Sequence, residues 1–139
     1  MTSLVDAETR IKVSSVLNKD AVSFGKQNLI DGDQETCWNS EQGLPQYILL
    51  DFPSPVSVER VILQFQGGFV GKKCVLVGST QEAPNDYSIE IDTLYPEDVN
   101  STQTFDLKET KRVKRFKIIF EESTDFYGRI TMYKLDVVG

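Results

Sequence analysis

The sequence predicts an all-β protein, one domain over residues 1–139, folded as a β-sandwich or jelly roll. Three observations carry that prediction. Apolar residues recur mostly with period two, the spacing that gives a strand one dry face. Clusters of Gly, Pro, Asn and Asp punctuate these runs at short intervals. No repeat, low-complexity tract or linker divides the chain.

Taken in order, Asp6 to Arg10 and Lys26 to Ile30 are the only stretches suited to helical turns. Gln46 to Phe52 reads as an apolar strand between Gly43-Leu44-Pro45 and Pro53-Ser54-Pro55. Val61, Leu63 and Phe65 then alternate with Ile62, Gln64 and Gln66 up to Gly67-Gly68, and Val75 and Val77 follow. Ile89 and Ile91 alternate with polar residues between Ala83-Pro84-Asn85-Asp86 and Tyr95-Pro96-Glu97-Asp98. Phe116, Ile118 and Phe120 alternate with Lys117, Ile119 and Glu121, and Arg129 to Val138 is again rich in strand formers. Seven or eight short strands at this spacing make a sandwich.

Composition narrows the chemistry. The chain has no histidine, two cysteines and a net charge of −6. Without histidine there is no Ser-His-Asp or Cys-His nucleophile. Cys37 and Cys74 alone cannot make a structural zinc site or a disulfide framework. Glu121 and Glu122 are adjacent on a strand, so they would not readily face one substrate as a glycosidase pair. A binding module is expected, not an enzyme. Charges at Asp6, Glu8 and Arg10 interrupt any signal-peptide core. No run approaches the roughly 20 apolar residues of a membrane span. The expected setting is the reducing nucleus and cytoplasm, where Asn100-Ser101-Thr102 is a polar loop and not a glycosylation site.

The densest information lies between Ser14 and Phe52. Ser14-Ser15 is followed by Leu29-Ile30-Asp31-Gly32-Asp33, then Thr36-Cys37-Trp38, then Gln46-Tyr47-Ile48-Leu49-Leu50-Asp51-Phe52. This succession resembles the discoidin, or factor five/eight type C, domain of the galactose-binding-like jelly-roll class. Arg115-Phe116-Lys117-Ile118 and Leu135-Asp136-Val137-Val138 are similar to its closing strands. Gln64-Phe65-Gln66-Gly67-Gly68-Phe69, Tyr95-Pro96-Glu97-Asp98 and Thr124-Asp125-Phe126-Tyr127-Gly128-Arg129 are similar to a small, free-standing vertebrate branch. That resemblance implies a non-catalytic partner of an orphan nuclear receptor, repressing transcription by interfering with receptor dimerisation and DNA binding. The family also implies an alternative, a carbohydrate-binding, lectin-like module. Fold resemblance alone does not choose between them.

The resemblance places Asp31, Asp33 and Thr36 as candidate calcium ligands, with a backbone carbonyl near Asn28. Lys134 stands where the family usually has glutamate. Two alternatives remain open there: a purely structural turn, or a lysine ammonium in place of the cation. No other cofactor is expected.

Gly67 to Lys73 fails as a phosphate loop, since Gln66 and Lys73 stand where Gly and Ser or Thr are needed. Its Phe69-Val70 tip suits a protein contact, a fold-back onto the sandwich, or a membrane spike that the net charge disfavours. Phe69, Val70, Tyr95, Phe126 and Tyr127 are therefore the candidate partner-binding residues. Lys108 to Lys117 holds six basic residues against Glu109 alone. Lys111, Arg112, Lys114 and Arg115 form its candidate basic patch: an import signal, a phosphate contact, an acidic-partner site or a solvated strand face. Neither direct nucleic-acid binding nor membrane binding is expected, and a monomer is.

Overall fold

The computed structural model describes residues 2–139. Among these, seven strands follow in order: β1 (Arg10–Val13), β2 (Trp38–Asn39), β3 (Gln46–Phe65), β4 (Gly71–Ser79), β5 (Ile89–Leu94), β6 (Gln103–Ser123) and β7 (Thr131–Val138). One helical turn, α1 (Ala21–Phe24), lies between β1 and β2, flanked by 3-10 turns at Leu17–Lys19 and Lys26–Leu29. All strand pairs are antiparallel. The all-β jelly-roll sandwich read from the sequence is the fold.

Two strands are long where short ones are expected. β3 and β6 each belong to both layers. The first half of β3 pairs with β1 and with the second half of β6, which continues to β4 and β5. The second half of β3 pairs with β7 and the first half of β6, and β2 lies beyond β7. Pro53-Ser54-Pro55 is therefore a bend within β3, where its pairing with β6 slips between Asp51 and Val56. Proline has no N–H to give, so an unpaired corner is where it disturbs a ladder least.

The helical expectations are partly corrected. Lys26 to Leu29 is a 3-10 turn, but Asp6 to Arg10 is a single turn, closed by Thr9 N–H on Asp6 O, that runs straight into β1. α1 was not anticipated; Asp20 caps it by accepting from Ser23 N–H.

The core lies between the layers. Trp38, Phe52, Phe65, Phe116 and Phe120 are fully buried there. Phe120 sits at its centre, 6.1 Å from both Trp38 and Phe65. Trp38 satisfies its indole N–H on Ser15 O at 2.9 Å. One end of the sandwich gathers the loops 40–45, 66–70, 95–102 and 124–130. The other holds the bends of β3 and β6.

Candidate functional site

The loop end is built by residues that commit their polar groups to one another. Gln46, buried at the start of β3, accepts from the hydroxyls of Ser14 and Ser15. Its amide donates to the carbonyls of Glu41 and Gly43. The Ser-Ser and Gln elements of the family pattern thus hold the loop that carries Leu44. That loop is tied to its neighbour by Gly43 N–H on Tyr127 O at 2.8 Å. Gly128 takes a positive φ of 77° and passes so close that an added Cβ would meet Leu44 at 2.9 Å. Only glycine serves both needs.

Asp125 and Arg129 stiffen the next loop. The guanidinium meets the carboxylate in two bonds, Nε to Oδ2 at 2.8 Å and the second nitrogen to Oδ1 at 3.1 Å. Arg129 N–H donates to the same carboxylate. The pairing with Arg129 holds the Asp125 carboxyl below its usual pKa and raises that of Arg129. The guanidinium also lies over Phe69 at 5.1 Å and Tyr127 at 5.6 Å, while Phe126 packs edge-on against Tyr127. A charged plane between two rings is favourable and geometrically restrictive.

A pH dependence follows. A depressed carboxyl pKa stabilises the fold above the ordinary carboxylate range, and that contribution is lost as pH falls through the lowered folded value. The Arg129 Nε–H resonance is expected to hold its position from neutral pH to about pH 4 and to shift below it. Asp125→Asn should remove that acid transition.

Among the sequence-predicted aromatics, Phe126 is 94% exposed, Tyr95 67% and Tyr127 58%. Leu44, not anticipated, adds an exposed apolar side chain beside Gly128. Phe69 is half-buried under Arg129. Val70 is a correction: it is fully buried. Gly68, at φ 90°, turns the chain so that Phe69 N–H reaches Gln66 O. Val70 then exchanges bonds with Thr124 and points into the core. Tyr95 shares this end because its loop is bound to the 66–70 loop, through Gly67 N–H on Asn100 and Gly68 N–H on Asp98. Asn100 is thus a structural tie.

The basic run does not form one free patch. It lies mostly at the bend of β6, away from the loop end. Lys114 and Arg115 converge on Asp51 at 2.6 and 3.4 Å. Arg115 also donates to Pro84 O and Asn85, and Lys111 reaches Glu90 O and Glu109. Arg112 is exposed. The linear cluster is broken because Asp51, Pro84, Asn85, Glu90 and Glu109 draw its side chains to separate partners.

Asp31, Asp33 and Thr36 form a turn closed on itself. Asp31 accepts from Asp33 N–H and the Thr36 hydroxyl, and Asp33 accepts from Glu35 N–H. Calcium requires six to eight converging oxygens. Among the described residues no three His, Cys, Asp or Glu side chains gather closely enough for a metal. In this structure the Asp31, Asp33 and Thr36 side chains are bonded to the turn itself. Lys134 lines the same groove of about 350 Å³ as Asp33, but among the described residues no ion pair joins it to either aspartate.

The remaining reactive groups are quiet. Burial pushes the Cys37 and Cys74 thiols up in pKa. Glu121 and Glu122 pair with Lys73 and Lys72. Among the described residues no helix is long and apolar enough to cross a membrane.

Residues 28–94 match the NedA-like, galactose-binding domain of the F5/8 type C class. The nuclear receptor 2C2-associated protein of Danio rerio is 50% identical over 137 residues, covering 99% of this chain and 95% of that protein. The protein of that name from Homo sapiens is 47% identical over 139 residues, covering 99% and 96%. Among solved structures, CpGH89CBM32-5 from Clostridium perfringens, in complex with GalNAc-β-1,3-galactose, superposes with a TM-score of 0.81. It is 18% identical and covers 99% of this chain and 100% of its own, a likeness of fold. With full-length identity near one half and the same jelly roll, the chain belongs to the family of nuclear receptor 2C2-associated proteins, built on a galactose-binding-like F5/8 type C domain.

Proposed function

We propose that this chain is a non-catalytic, monomeric interaction module that binds an orphan nuclear receptor and represses its transcriptional activity, by interfering with dimerisation and DNA binding. The observation that carries the reading is the pair Phe126 and Tyr127, held out to solvent on a loop already made rigid by Asp125 and Arg129. Rigid exposed aromatics bury much area on binding and lose little entropy. The names of the relatives supply the class of partner. The module works in nucleus and cytoplasm, which imaging of a tagged chain would check.

Co-purification with the receptor tests this. It should be lost in Phe126→Ala/Tyr127→Ala and kept in Arg112→Glu. Retention in the aromatic variant would place the interface elsewhere.

The lectin-like alternative needs ring stacking together with free polar groups for sugar hydroxyls. Here both oxygens of Asp125 and two nitrogens of Arg129 are already engaged by each other. Specific micromolar binding on a glycan array would overturn this preference. The 31–36 turn is proposed to work without calcium. Calorimetry on chelator-treated protein should give no binding heat at millimolar calcium, and a saturable heat would refute that.

A further inference from the structure

The outer face of the five-stranded layer is not the polar surface that an uncovered antiparallel sheet normally shows. Registers across β1, β3, β6, β4 and β5 align two rows of outward side chains. One row runs Tyr47, Ile119, Val75 and Thr93. The next runs Lys12, Leu49, Lys117, Val77 and Glu90. Five apolar residues thus form one stripe, and no helix or further sheet of the described residues pairs over it. The signal lay in Tyr47-Ile48-Leu49-Leu50 and Ile118-Ile119-Phe120, runs too continuously apolar for strands with a wet side.

Charge surrounds this stripe unevenly. Arg10, Lys12, Lys114, Arg115 and Lys117 stand on or beside it, against Asp51 and Glu90. Lys117 is held in place over the Tyr47 and Tyr87 rings at 4.5 and 4.8 Å. At the β5 edge the face opens into a groove of about 600 Å³, walled by Val75, Val77, Thr93 and Tyr95, where Lys108 and Lys111 stand among Glu90, Asp92 and Glu109. In a protein of net charge −6, the β1–β3–β6 side of this apolar face is thus basic, with five cations against Asp51, while its β5 edge is of mixed charge.

We infer that this face is a second docking surface, whose occupant is an acidic peptide segment bearing apolar side chains. Apolar side chains fit the stripe, and carboxylates fit its basic side. A second copy pairing through this same face would bring like charges together. Tyr47, Leu49, Val75 and Ile119 are half-buried and Val77 is buried, so none protrudes as a membrane anchor would. The inference goes beyond the loop-end reading and does not depend on it.

The test uses a fluorescein-labelled synthetic peptide in which Glu alternates with Leu and Phe. Its lysine counterpart and an all-Glu peptide serve as controls. Anisotropy with the full chain should show saturable binding of the Glu/Leu/Phe peptide alone. Lys12→Glu should weaken it at least about tenfold, as should added salt at about 0.5 M. Ile119→Thr, which keeps the β-branched shape, should do the same with an unchanged melting curve. Phe126→Ala/Tyr127→Ala should bind the peptide normally, so failure of this proposal and failure of the receptor reading are separable. Amide shifts on binding should map to Leu49, Val75, Lys117 and Ile119. The absence of saturable binding, equal binding of the lysine peptide, shifts confined to the loop end, or preference for phosphatidylserine vesicles or DNA would each overturn it.

Discussion

Phe120→Ala is expected to lower the unfolding free energy by about 3–5 kcal/mol, a large share of the roughly 5–15 kcal/mol that holds a domain together. The ring is fully buried and packs against Trp38 and Phe65, which belong to β2 and the second half of β3. It is therefore a contact between the two layers. Truncation loses the transfer free energy of the ring and leaves a cavity that its neighbours cannot close. Those neighbours are fixed: Trp38 by its bond to Ser15 O, and Gly71 by a fit so close that a Cβ there would lie 2.5 Å from the Phe120 ring. Urea denaturation checks the size of the loss. A loss below about 1 kcal/mol would mean that the layers are held mainly by something else.

The second large effect is on binding and leaves stability alone. Phe126→Ala/Tyr127→Ala should weaken receptor affinity by about 2–4 kcal/mol, or roughly 30- to 1,000-fold, if the pair is the hot spot of the interface. Phe126 is almost wholly exposed and touches Tyr127, so its removal leaves no cavity in the core. The unfolding midpoint should move little. Arg129→Ala offers a contrast. It removes the partner of Asp125 and the plane between Phe69 and Tyr127, so it should weaken binding through loop disorder, visible as faster amide exchange at residues 125–129.

Much of the fold was legible because period-two patterning reports directly which face of a strand is dry. Val61, Leu63 and Phe65 are all buried, as are Phe116, Ile118 and Phe120. What was not legible depends on distant partners. Pro53 and Pro55 read as a terminator, yet β3 continues through them because β6 bends alongside. The basic run looks like one patch in linear order, while Asp51, 63 positions before Lys114, draws two of its charges inward. Val70 looked like the tip of a spike until the turn at Gly68 and the bonds to Thr124 turned it inward. The loop aromatics were found by their Gly and Pro neighbours. Their sorting into exposed Phe126 and half-buried Phe69 rests on Arg129, whose position no spacing rule predicts.

The outer stripe shows the opposite case. Tyr47, Leu49 and Ile119 read as strand residues with no facing direction. Val75 and Val77, which read as the alternating apolar pair, lie on the outer face, and Cys74 and Leu76 fill the core instead. Tyr47, Leu49 and Ile119 become notable only once the registers set them in adjacent rows.

The central claim is that the loop end binds the receptor. Titrating isotope-labelled chain with purified receptor, and following amide shifts, tests it most directly. Shifts concentrated in residues 43–45, 67–69, 95–98 and 124–129, and lost in Phe126→Ala/Tyr127→Ala, are the expected result. Receptor-induced shifts that bypass these loops, or a folded chain that shows none at saturating receptor, would contradict it.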